Sequence, residues 1–229
     1  MKTIKNISIS LGLVLLYLLF TNIPVIFMYL LGIDYNKFNQ TIKILYMFIC
    51  NIIVMTIIIS IYHKTLIKDF KNFFNKNIFN NLENAFKYWL LGFIVMVVSN
   101  LILTAITEGI ASNEEAVRTL IKAAPIYMFF DVSIYAPLME ELIFRKSIRD
   151  ITDRKWLYIL TSGLIFGGLH VISSISSPVD LLYLIPYSSL GIAFAYSYYK
   201  SNNIFSSITM HCMHNTLSFI LLMISGNII

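Results

Sequence analysis

The chain has 229 residues, of which 58% are hydrophobic and 13% charged, with a net charge of +5 and a mean hydropathy of +0.76. So large an apolar share exceeds what a soluble domain of this length needs for its core, which excludes a soluble globular protein and indicates an integral membrane protein. The excess positive charge lies in short loops, with no basic groove carrying interleaved stacking residues, so it directs the chain to an anionic membrane surface and not to nucleic acid.

Crossing about 30 Å of hydrocarbon as a helix takes about 20 apolar residues. Windows of that kind fall at 8–32, 41–62, 88–107, 124–151, 156–174, 180–199 and 204–226. Strand-like alternation is absent, and in lipid only helices and closed barrels satisfy their own backbone, so the expected fold is all-α: a polytopic membrane bundle of about seven transmembrane helices. The first window follows Lys2 and Lys5. It is long, bulky and interrupted by Pro24, with no small-residue cleavage site, which makes it a retained helix and not a secretory signal. After the second window, residues 63–87 carry Lys64, Lys68, Lys71, Lys76 and Lys87. Within them, lysines and asparagines mix with Phe70, Phe73, Phe74, Ile78 and Phe79, a pattern that suits a basic amphipathic helix on the inner leaflet. Two units follow: N-terminal membrane helices with this basic cytoplasmic loop over 1–110, and a second helix bundle over 120–229.

Lysine and arginine placement orients the chain. The 63–87 segment, the turn with Arg145, Lys146, Arg149, Arg154 and Lys155, and the turn at Lys200 all become cytoplasmic. The N-terminus is then inside, the acidic loop with Glu108, Glu114 and Glu115 outside, and the C-terminus outside the cytoplasm. Cys50 and Cys212 lie in predicted spans without CxxC spacing and read as inert small apolar residues.

Chemistry concentrates in the second unit, where ionisable groups sit in otherwise apolar spans and mark a functional polar pocket. Glu141 and Arg145 are four apart, share a helical face and form a supporting pair. Glu140 points about 100° away, remains free, and is the candidate general base. His170 follows Phe166 by four residues and packs on its ring, while Gly167 and Gly168 let a neighbouring backbone approach. His211 and Asn215 share a face and offer donors to a developing oxyanion. Counting along helices from the basic turns, Glu140, His170 and His211 lie roughly 15, 21 and 10 Å deep, so convergence inside the bilayer is allowed. Pro137 weakens the helix one turn before the glutamates. Asn51, Asn100, Asp131 and His214 read as packing groups, with Asp131 facing away from Glu140. A serine triad is disfavoured: no G-x-S-x-G elbow exists, and Ser173, Ser174, Ser176 and Ser177 crowd an external loop.

The ordered set Glu140-Glu141-x-x-x-Arg145, Phe166-x-x-x-His170 and His211-x-x-x-Asn215, with Ala136-Pro137 and Phe144 flanking, resembles the CPBP family, named for CAAX prenyl proteases and bacteriocin-processing enzymes and also called Abi. The resemblance covers about residues 125–220 and departs at Lys146, where glycine is usual. It implies an intramembrane endopeptidase acting on a small peptide precursor or a membrane-associated protein. In that reading Glu140 and His170 activate water, His211 and Asn215 stabilise the oxyanion, and Glu141, Arg145 and Phe166 support the site. Members are described as metalloproteases, and Glu140, His170 and His211 make a plausible zinc set; the resemblance equally supports a glutamate-dependent mechanism with no metal. The absence of HExxH leaves both open. Two other classes also stay open: a non-catalytic bacteriocin-immunity or scaffold protein of the same fold, and a proton-coupled transporter.

Overall fold

The computed structural model describes residues 4–20, 23–75, 77–107, 111–172, 175 and 178–225. Lys2, Lys76, Glu108, Ser173, Ser174, Ser176 and Ser177 lie outside the described residues. In chain order the helices are α1 (Ile4–Phe20), α2 (Ile23–Leu30), α3 (Gln40–Asn75), α4 (Ile78–Thr107) and α5 (Ser112–Ala123). There follow α6 (125–151), α7 (Lys155–Ile172), α8 (Leu184–Ser201) and α9 (Phe205–Ser225). The described residues contain no strand, and the chain is a helical membrane bundle.

Five of the seven expected spans are continuous helices long and apolar enough to cross a membrane: Gln40–Phe74, Ile78–Ile106, Lys155–Ile172, Pro178–Ser201 and Phe205–Ser225. Of the other two, the window 8–32 holds α1 and α2, of 17 and 8 residues, with residues 21–22 between them outside the described residues and Pro24 at the start of the second. The window 124–151 is one helical run, α6, in which α-helical turns alternate with π-helical segments at Asp131–Tyr135 and Glu141–Ser147. The outward faces of the helices identify the solvent: Ile42, Leu45, Ile49, Ile53, Ile57 and Ile61 of α3 recur every three or four residues and are all exposed, a stripe that only lipid tails can cover.

The basic stretch 66–82 is not a helix of its own. At 1.5 Å per residue, the 36 residues of α3 span about 54 Å, well beyond the hydrocarbon, and the helix breaks only where Asn77 takes a left-handed φ of 51° before α4 begins. The lysines therefore decorate the end of a helical hairpin. That end is tied down: Asp69, buried among them, accepts the Ile204 N–H at 3.0 Å at the start of α9, and its carbonyl accepts Asn203 Nδ2 at 2.8 Å. Phe73 is 1% exposed, and Phe70, Phe73 and Phe74 gather round Phe205.

The core forms round α6, whose Leu142, Ile143 and Phe144 meet Leu13 of α1, Ile58 and Tyr62 of α3, Tyr158 and Phe166 of α7 and Ile208 of α9. Small residues set the helix spacing on the other side. A Cβ on Gly163 or Gly167 of α7 would overlap Ile192 or Ser188 of α8, and one on Gly92 of α4 would lie 2.6 Å from Cβ of Ala193. Helix α8 is thus held between α7 and α4 at glycine contact distance. Gly168 contributes nothing to this approach: a Cβ there would meet only Ile172 of its own helix, at 3.7 Å.

Candidate active site

Pro137 starts the local geometry. A regular helix would bring the Ala136 N–H to Val132 O, but that N–H goes to Asp131 O, five residues back, and the next residue, proline, has no N–H to offer. Val132 O is left without a helical donor. Asn215 of α9 supplies one, its Nδ2 donating at 2.8 Å. Beyond the glutamates the second π segment repeats the device, because the Ile148 N–H goes to Arg145 O while Phe144 O accepts Ser162 Oγ of α7 at 2.7 Å. Ser147 Oγ returns to Leu142 O at 3.1 Å and meets Tyr62 OH of α3 at 2.7 Å. Neighbouring helices therefore satisfy a backbone that proline and π turns have opened inside the membrane.

These wider turns also rotate the rest of the helix about its axis. A uniform 100° per residue places Asp131 opposite Glu140, yet both line one cavity of about 730 Å³. Asp131 instead accepts Asn51 Nδ2 of α3 at 2.8 Å, so the two groups read as packing residues bond to each other.

The glutamates and His211 form the centre. Glu141 and Arg145 are wholly buried; their Oε2 and Nε are 3.2 Å apart, with the N–H off line for a hydrogen bond. Arg145 Nη2 donates to Gly191 O at 3.3 Å, and the guanidinium lies 4.5 Å over the Phe166 ring and 5.6 Å from that of Phe194. Glu141 Oε1 is 2.8 Å from His211 Nδ1. The opposite edge of the ring turns Nε2 to Glu140 Oε2 at 3.7 Å, so one imidazole sits between both carboxylates. Glu140 is 12% exposed, and that exposure is to the cavity.

His170 faces the same cavity from α7. Its Nδ1 contacts Phe166 O at 2.9 Å, and its ring lies 4.5 Å from Phe166 and is stacked on Tyr187 at 5.0 Å. All four candidates, Glu140, His170, His211 and Asn215, thus reach one space, as do Phe166 and His214. Glu141 and Arg145 stand behind it. His214 packs against the stacked Trp89 and Phe93 rings at centroid distances of 6.2 and 5.9 Å. Lys146 bonds Asp150 at 2.6 Å and lies 5.4 Å over Tyr62, an outward role at the helix end.

Sequence reasoning missed two residues. Phe194 lies flat on His211, at 4.7 Å and 19°, and Tyr187 holds His170. Tyr187, Leu190 and Phe194 follow the i, i+3, i+7 rhythm of one α8 face and all line the cavity, a periodicity that was available to find them. As to zinc, no three His, Cys, Asp or Glu side chains among the described residues come together as a metal-holding group. The set Glu140, His170 and His211 does not fit a three-ligand centre here, and no chemical step is assigned to a metal.

Residues 122–217 match the sequence model of a family described as type II CAAX prenyl endopeptidase Rce1-like. The chain is 33% identical over 114 residues to the putative membrane peptidase YdiL of Bacillus subtilis (strain 168), covering 48% of this chain and 43% of that protein. It is 30% identical over 141 residues to the membrane-embedded CAAX protease MroQ of Staphylococcus aureus (strain USA300), covering 55% and 53%. Against the UPF0177 protein YvdC of Lactococcus lactis subsp. lactis (strain IL1403), identity is 23% over 135 residues, covering 58% and 49%. The chain thus spans about half the length of these curated relatives. No solved structure matches.

Proposed function

We propose, from the match of residues 122–217 to the Rce1-like family model, that this multi-pass membrane protein is an intramembrane endopeptidase working through Glu140. The observation that carries the reading is the placement of the Glu140 carboxylate: at the wall of an apolar cavity of about 730 Å³, with His211 Nε2 at 3.7 Å and His170 lining the same space.

The chemistry follows from the groups present. A water between Glu140 and His170 gives a proton to the carboxylate and attacks the scissile carbonyl carbon. The oxyanion of the tetrahedral intermediate takes a hydrogen bond from His211 Nε2–H, the ring acting as imidazolium because Nδ1–H is given to the Glu141 carboxylate, and another from the second N–H of the Asn215 amide, the first being held by Val132 O. Collapse breaks the C–N bond, and Glu140 returns its proton to the leaving amine. Glu141 fixes the His211 ring through Nδ1 and turns Nε2 to the cavity, while Arg145 offsets the buried carboxylate. The mixed lining, largely apolar with Asn100, Glu114 and Arg118 towards α5, suits an extended peptide with a few polar groups. The substrate class is accordingly a small peptide precursor or the end of a membrane-associated protein.

The test compares membrane and secreted peptides from cells carrying the native protein or Glu140→Gln at equal expression. A product made only by the native chain, with its precursor accumulating in the variant, is the expected result; loss of general-base catalysis costs about 10²–10⁴-fold in rate. Matched profiles, in cells where deleting the protein still has an effect, would overturn it in favour of a binding or transport role. In the purified system, cleavage is expected to survive chelation. Activity lost to a chelator and restored by zinc would replace the glutamate-only scheme.

A further inference from the structure

A second cavity, of about 320 Å³, lies apart from the catalytic one, where the α3–α4 hairpin meets the α8–α9 turn. Its walls are unusually polar for a membrane helix bundle: Asn72 of α3, Asn84 and Tyr88 of α4, Ser197 and Lys200 of α8, with no acidic side chain among the residues that line it. Three observations indicate a ligand.

First, Ser197 is 2% exposed, lines the cavity, and its Oγ has no hydrogen-bond partner. A buried hydroxyl without a partner carries a desolvation penalty that an occupant would remove. Second, Lys200 lies at the rim with no carboxylate partner among the described residues. Its Nζ is 6.0 Å from the Tyr196 ring, and the same ring takes Lys155 Nζ at 5.2 Å and Tyr88 edge-on at 4.9 Å. Two ammonium groups thus flank one aromatic ring beside a carboxylate-free hollow. Third, the cavity is lined by residues of the hairpin that carries Lys64, Lys68, Lys71 and Lys87, a basic face suited to lipid headgroups, and Phe79 and Phe86 of the same hairpin are exposed, at 82% and 42%.

We propose that this cavity is a lipid-headgroup site taking a singly charged, hydroxyl-bearing phosphodiester, with the phosphate at Lys200 and the asparagine amides and the headgroup hydroxyl on Ser197. One net lysine in the hollow matches one negative charge. Amide and hydroxyl walls match a polyol better than a choline, whose quaternary ammonium offers no hydrogen bond. Exposed Phe79 and Phe86 give the acyl chains an apolar path. The inference is independent of the proteolytic reading, since no residue of the catalytic cavity is used.

The test uses the full chain purified in neutral detergent and titrated with short-chain phosphatidylglycerol or phosphatidylcholine, followed by native mass spectrometry and by thermal midpoint. The expected result is saturable one-to-one binding of phosphatidylglycerol at least tenfold tighter than of phosphatidylcholine. Lys200→Met should weaken it about tenfold and Ser197→Ala several-fold, while Lys71→Met, which changes a lysine outside the cavity, should leave it unchanged. Equal affinity for the two lipids, or equal loss from all three variants, would reduce the effect to general surface charge and overturn the site. Inorganic phosphate stabilising the protein as well as the lipid does would identify a soluble anion as the occupant and refute the lipid assignment. Should Ser197→Ala fail to fold, Ser197→Thr, which keeps the hydroxyl, is expected to bind and Ser197→Val, of similar shape without it, to lose binding.

Discussion

At the scale of single residues, Asn215 combines a bond to an opened backbone with a place in the cavity wall. Its amide closes the gap that Pro137 opens at Val132 O, and the same nitrogen retains a second N–H for the cavity. Asn215→Ala should therefore lower stability by about 1 kcal/mol, the usual worth of such a bond, seen as a reduced thermal midpoint in detergent. Asn215→Asp should be worse, because a carboxylate would face the carbonyl. An unchanged midpoint in both variants would remove the anchoring role and leave only a direct one. His211 is the other pivotal residue. Its i,i+4 spacing to Asn215 was readable, but its position between Glu140 and Glu141 depends on how α9 approaches α6, which no local pattern encodes.

At the scale of elements, the close contact of α7 with α8 positions His170 against Tyr187. Two adjacent glycines make a controlled comparison. Replacing glycine by alanine inside a helix gains about 1 kcal/mol of helix propensity. At Gly167 the new Cβ would lie 2.7 Å from the Ser188 backbone nitrogen, and overpacking against backbone costs about 1–3 kcal/mol, so Gly167→Ala should destabilise the protein and reduce cleavage by displacing His170. At Gly168 the nearest atom a new Cβ would meet is 3.7 Å away, and Gly168→Ala should be neutral or stabilising. Thermal midpoints of the two variants check this; equal effects would show that α7 and α8 are not spaced by Gly167. The sequence marks both glycines alike, since which of them faces α8 is a matter of rotation about the helix axis by about 100°.

At the scale of the whole molecule, the basic ends of α3, α6, α7 and α8 and the acidic start of α5 predict an orientation that labelling can measure. With native cysteines removed by Cys50→Ala and Cys212→Ala, Glu114→Cys is expected to react with an impermeant maleimide in intact cells, and Lys155→Cys only after permeabilisation. The opposite pattern would invert the assignment and put Glu114 and Arg118, which line the larger cavity, on the cytoplasmic side. Span counting alone does not decide the matter, because hydropathy reads the π-interrupted α6 as an ordinary span.

Hydropathy, charge placement and three short motifs were enough to indicate a helical membrane protein, the family it resembles and the side chains to inspect. Those properties reside in local composition and in the 3.6-residue period, which a linear chain displays openly. The tertiary structure decided the rest: that both glutamates address one histidine, that Asp131 shares the cavity with Glu140, that Phe194 and Tyr187 hold the two imidazoles, and that the basic stretch is a hairpin end tied to α9 through Asp69. Each of these depends on a π turn that shifts the helical phase or on contact between helices far apart in the chain, and neither leaves a local signature beyond the proline that starts it.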